Sequence, residues 1–212
     1  MRDAIRIILA VSGIVSAGPQ SVIAQQPATI DPIAVVRAAF GAYEARQWSE
    51  FAALVHPDAL TRFRSEQLET ADVWEAHADE INAVRQRSPA TLGRGNPILG
   101  QFAGVKTLNE LRALSPQMLL ARFLEARSPK ANPADPDYQP PISTREIIGE
   151  VAETPDLVHV VYRVHTDVGR YGRTESVEVV PVKRSADGWR LMLNGELTYS
   201  TSMSITIDPA DN

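Results

Sequence analysis

The 212-residue chain contains no cysteine. That absence excludes an anchor built on an N-terminal lipidated cysteine, a thiol nucleophile and any cysteine-ligated metal. An oxidising compartment permits disulfides without requiring them, so the absence does not argue against export. Lysine and arginine are nowhere clustered, and the net charge is −5. Nucleic-acid binding needs a basic patch, so a nucleic-acid partner is not expected. No apolar run after the first two dozen residues has the length of a membrane span. There is no repeat period. Glycine-rich phosphate loops, the His-Glu-x-x-His pair, the Gly-x-Ser-x-Gly elbow and calcium loops are all missing, so no pattern calls for a cofactor or a metal.

The first feature present is a leader. Arg2 and Arg6 precede an apolar run from Ile7 to Ala17, Gly18 and Pro19 end it, and Val22-Ile23-Ala24 suits cleavage. Residues 1–24 are therefore read as a signal peptide cut after Ala24, with the protein released to the periplasm or the exterior and no membrane attachment afterwards. Taking 24 residues from 212 leaves 188, enough for one domain with a sizeable core. Residues 25–30 form a flexible lead, 31–207 the domain and 208–212 a tail.

Helical spacing comes first. Asp31-Pro32 is a good start, followed by Ile33, Val36, Phe40 and Tyr43 on one stripe. Ser49 caps a second helix holding Phe51, Leu54 and Val55, with His56 at its end and Pro57 limiting it. From Asp58 to Arg87 the period stays helical, with Leu60, Phe63, Ala71, Trp74, Ala78 and Ile81 on one face and Glu66, Glu69, Asp79 and Glu80 opposite. Residues 88–106 read as a loop. Leu108, Leu111 and Leu114 mark a short helix. Ser115-Pro116 opens another, with Met118, Leu119, Phe123 and Leu124 as its buried stripe. A proline-rich connector covers 128–141.

Beyond Ser143 the period drops to two. Strands are expected over 145–153, 157–168, 174–184 and 189–197, with a tight turn at Ala186-Asp187-Gly188; residues 198–207 either extend the last strand or add an edge. Helices followed by a meander give an α+β layout, helices on one side of an antiparallel sheet.

Three stretches carry a family resemblance. Val35 to Phe40 with Trp48-Ser49-Glu50-Phe51 and Leu54 to Ala59, then Ser115 to Leu124, then Ser176 to Leu193, together resemble the NTF2-like superfamily (the nuclear-transport-factor-2, SnoaL and ketosteroid-isomerase group). They span roughly half of the mature chain, and residues 60–106 depart from the family's pattern. The resemblance implies a cone of helices and curved sheet, open at one end to a small ligand. It settles no function, because such folds host enzymes and binding modules alike.

Candidate site residues gather on the second strand. His159, Arg163 and His165 share one face, where imidazoles beside a guanidinium suit an anion or a proton transfer; the plainer reading is a solvated or subunit-facing surface opposite the core. Tyr162 and Glu178 are the residue types that ketosteroid-isomerase-like enzymes use at the inner wall; the plainer reading of Glu178 is an outward residue on an alternating strand. His77 and Glu80 have a metal-pair spacing but no third ligand, His56 suits a helix end, and Trp74 and Trp189 suit the core. The favoured function is a non-catalytic exported module for a small ligand or protein. The alternative is a cofactor-free acid–base enzyme of isomerase or hydratase type. The Val-rich third strand also offers a homodimer through the sheet.

Overall fold

The computed structural model describes residues 31–80, 83, 97–129, 140–169 and 172–198. The expected signal peptide and lead, residues 81–82 and 84–87 of the expected helix, 88–96 of the expected loop, 130–139 of the connector, and the expected strand and tail beyond 198 lie outside them.

Side-chain caps set most helix starts. In α1 (Pro32–Glu44) the Asp31 carboxylate accepts from Ile33 N at 3.2 Å, and Val35, Val36, Ala39 and Phe40 are buried. Helix α2 (Trp48–Ala53) begins one residue before the expected Ser49 cap, and Gln47 caps it without a side-chain bond. Leu54 and Val55 fall outside α2, because Val55 bridges Leu191 of the sheet and His56 N donates to Leu191 O at 2.8 Å. His56 serves the next helix: its Nδ1 accepts from Asp58 N at 3.1 Å, so it is the N-cap of α3 (Pro57–Ala76) rather than a C-terminal partner of carbonyls. The long helix expected to Arg87 is interrupted at His77, which is the C-cap of α3.

Residues 97–106 contribute more than a loop. They include a 3₁₀ turn (Leu99–Gln101), and Ile98 and Phe102 are core residues. Helix α4 (Leu108–Ala113) is capped by Thr107 and buries Leu111. Helix α5 (Pro116–Arg127) is capped by Ser115 and buries Leu119, Leu120, Phe123 and Leu124; Met118, expected inside, is 43% exposed. Each fully buried leucine or phenylalanine contributes about 1.5–3 kcal/mol.

The strands are β1 (Ile142–Thr154), β2 (Leu157–Asp167), β3 (Arg173–Ser185) and β4 (Gly188–Leu191), all antiparallel neighbours in the order β1-β2-β3-β4. Gly188, at φ 108, supplies the conformation the β3–β4 turn requires. Val158, Val160, Tyr162 and Val164 face inward with Val180, Val182 and Leu191, and join the helices in one apolar core. That alternation is the one the sequence predicts.

The α+β architecture stands, with N-terminal helices packed on a C-terminal antiparallel sheet. The cone does not. The sheet is open, with β1 and β4 as opposite edges that do not pair. The cause is local: the strand expected over 189–197 ends at Leu191, and the chain turns into the short helix α6 (Gly195–Thr198). A four-residue edge strand cannot extend the sheet round to β1.

Candidate functional site

Where the end of α1, the start of β1 and α6 converge, the inner side of the sheet carries charge. Arg145 alternates in phase with Ile147 and so points inward. β1 is an edge strand, and the Arg145 N–H finds its partner outside the ladder, donating to Glu44 Oε1 at 2.9 Å. Its guanidinium lies 4.4 Å from the Tyr43 ring centroid.

Glu196 comes from α6. Arg145 Nη2 donates to Glu196 Oε1 at 2.6 Å and Nε to Oε2 at 3.4 Å, and the two side chains are 3% and 5% exposed. The Tyr162 hydroxyl donates to Glu196 Oε2 at 2.9 Å and accepts from Asn194 Nδ2 at 2.9 Å. Asn194 also donates to Val179 O and accepts from Leu197 N at 3.1 Å, which fixes the start of α6. Thus β1, β2, β3 and α6 are joined by one polar network behind the ring of Phe40, whose centroid is 4.7 Å from that of Tyr162.

The protonation states follow from burial and neighbours. Burial and the adjacent Glu196 charge push the Tyr162 hydroxyl far above its ordinary value. Burial raises Tyr43 as well, against the opposing pull of Arg145. For Arg145 burial opposes the charge, but the charge and hydrogen bonds of Glu196 outweigh it and hold the guanidinium protonated. Both Glu196 oxygens accept hydrogen bonds, Oε1 from Arg145 and Oε2 from Tyr162.

In front of this network lies a cleft of about 670 Å³. Tyr43, Trp48, Leu124 and Ile142 supply apolar surface, and Ser143 and Thr166 supply hydroxyls. Trp48 meets Tyr43 edge-on at 5.1 Å. A smaller hollow of about 280 Å³ shares Arg127 and Thr198 with it. The size and the mixed lining match a small-molecule site.

The residues singled out from sequence divide between the two faces of the sheet. His159, Arg163 and His165 project outward. His159 Nε2 pairs with Glu153, and His165 Nδ1 lies 3.3 Å from Glu175 and Nε2 3.7 Å from Glu146. Arg163 Nε sits 2.8 Å from Glu175 Oε1, an ion pair without hydrogen-bond alignment. Tyr162 is buried on the inner face. Glu178 is its register partner and half-buried, yet the Tyr162 hydroxyl goes to Glu196 instead. His77 pairs with Glu80 at 3.4 Å on an exposed surface. Among the described residues no group of three or more His, Asp or Glu could hold a metal ion.

Arg145, Asn194 and Glu196 were not picked out from sequence. The available signals were an arginine at an inward position of an alternating strand, and Asn-Gly-Glu, a helix-capping pattern, where strand alternation was being continued. No family model, no curated protein and no solved structure matches this chain.

Proposed function

We propose that the protein is an exported, non-catalytic module that holds a small molecule in the cleft between α1, α5, β1 and α6. The observation that carries this reading is the pairing of a small-molecule-sized cleft with a polar floor in which Arg145, Glu196 and Tyr162 are bonded to one another. A general base needs a lone pair free to reach a substrate; Glu196, the buried carboxylate at this floor, accepts from Arg145 on both oxygens and from Tyr162 on one. That favours binding over the isomerase or hydratase alternative. The NTF2-like resemblance is consistent with a ligand site between helices and sheet, but it enters as a likeness of sequence and lends no cone.

Thermal unfolding in the presence of a small-molecule library tests the reading. A ligand at a hundred times its Kd stabilises by about 2.7 kcal/mol, so a stabilising compound is expected, and Trp48→Ala is expected to abolish its effect. Stabilisers indifferent to both Trp48→Ala and Thr166→Val would sink the proposal. Export rests on the leader: the protein recovered from outside the cytoplasm is expected to begin at Gln25, and an intact Met1 in that fraction would refute it.

A second reading concerns the outer face of the sheet. Ile148, Val151, Val177 and Val179 are 45–60% exposed there, and Val161 links them across β2. The strands are 11–13 residues long, giving a face of roughly 40 by 15 Å in plan, near the scale of about 800 Å² that each partner brings to a standard interface. A second copy is the fitting occupant. It brings an identical apolar centre with strands free to align, and the bordering polar groups (Glu146, Arg163, His165, Glu175) pair with one another within each copy.

A further inference from the structure

We infer that the ligand of the cleft is a small organic anion, an oxyanion head on a short apolar body, with the head taken by Arg46 and Arg127; the inference rests on the cleft being a ligand site. The chain as a whole carries −5, yet the cleft is lined by three guanidiniums (Arg46, Arg127, Arg145) and two carboxylates (Glu44, Glu196). Both carboxylates face Arg145, at 3.8 Å and 2.6 Å. Arg46 and Arg127 therefore have no carboxylate partner among the described residues.

Arg127 is held in place by neutral groups. Nη2 donates to Gln101 Oε1 at 3.3 Å, Nη1 reaches Thr198 O at 3.5 Å, and the guanidinium stacks 4.1 Å from the Phe123 ring centroid. These contacts orient the side chain and bring no carboxylate to it among the described residues. Arg46 occupies a position where its residue type is disfavoured. α1 closes with Arg46 N donating to Tyr43 O and Gln47 N to Ala42 O, which puts Arg46 in the left-handed region at φ 58, where glycine is the usual occupant. A bulky cation there is costly for the fold and places a guanidinium at the cleft. Beside these cations, Tyr43, Trp48, Leu124 and Ile142 suit an apolar body.

Arg46 also follows a helix C-terminus, where a cation can serve the backbone dipole alone. The two roles differ in the sign of a glycine substitution. If Arg46 serves the ligand, Arg46→Gly raises the thermal midpoint and weakens anion binding. If it serves the helix, the midpoint falls and binding is unmoved.

The test is calorimetric titration of the purified protein with short alkyl carboxylates, alkyl phosphates and the matching alcohols, together with inorganic phosphate. The carboxylates and alkyl phosphates are expected to bind about tenfold more tightly than the alcohols. Arg46→Gly and Arg127→Gln should each remove most of that margin while leaving alcohol binding unchanged. Alcohols binding as tightly as anions, with both lost in Trp48→Ala, would overturn the anionic head and leave the ligand site standing. No binding by any of these compounds would overturn both. Anion binding that persists in Arg46→Gly and Arg127→Gln would place the head elsewhere and overturn the assignment.

Discussion

Arg145 and Glu196 meet at 2.6 Å, Nη2 to Oε1, with 95% or more of each side chain withdrawn from solvent. The contact joins the first strand to the last described helix, 51 residues away. Desolvating two charges costs several kcal/mol per ion, and their attraction recovers this only when the remaining polar atoms are also satisfied. The Tyr162 hydroxyl serves Glu196, and the Tyr43 ring and the Glu44 carboxylate, 3.8 Å from Nη1, serve the Arg145 guanidinium.

Breaking the pair from one side should therefore cost more than replacing it. Arg145→Met or Glu196→Leu alone is expected to destabilise by about 3–5 kcal/mol, because each strands a buried charge. The double variant is expected to cost clearly less than the sum of the singles. Urea unfolding of the four proteins measures this, and strict additivity would contradict the coupled network.

Tyr162→Phe removes one donor to Glu196 and one acceptor of Asn194, which keeps its bond to Val179 O. A loss of about 1–3 kcal/mol is expected. The same hydroxyl has a pH signature. Its folded-state value is raised, so the unfolded chain ionises first; its stabilising share is whole below about pH 10 and is lost as pH rises above it. Stability against pH between about 9 and 11 should fall less steeply in Tyr162→Phe than in the parent.

The acid side has a different source. The Lys183 hydrogen bond at 3.0 Å, followed by the charge of His56, holds Asp58 below its ordinary value of 3.8. A depressed carboxyl contributes stability above the unfolded value and loses it as pH falls through the folded one. Asp58→Asn is expected to flatten the decline in stability below about pH 4. An unchanged acid limb would show that the Asp58–Lys183 contact does not persist in solution.

The sequence announced much of this fold. Asp31 before Pro32 and Ser115 before Pro116 are cap-plus-proline pairs, and both helices start there. Val158 to Val164 alternate as a half-buried strand must. What stayed hidden depended on contacts between distant segments. Trp189–Leu197 continues to look like a strand because Asn-Gly-Glu is a weak local signal of a helix start, and the bond from Asn194 to Val179 is not local at all. Arg145 stands at an inward position of an alternating strand, but its partner Glu196 lies far along the chain and nothing local points to it. Ile98 and Phe102 are core residues in a stretch with no period to betray them.

Self-association through the outer sheet face makes a separate prediction. Sedimentation of the parent should show a concentration-dependent dimer, and Val179→Lys should leave a folded monomer with an unchanged far-ultraviolet spectrum. A parent that remains monomeric at about 100 μM, well above the micromolar affinities common for standard interfaces, would rule out the second copy.

The cleft is proposed to bind a small molecule without transforming it. The direct measurement is a proton–nitrogen NMR titration of the purified protein with a stabilising organic anion, followed by recovery of the compound. Shifts concentrated at Tyr43, Arg46, Trp48, Ser143 and Thr166 are expected, with the ligand recovered unchanged. Shifts confined to the outer face around His159, Arg163 and His165, or a recovered compound chemically altered by the protein, would contradict the proposal.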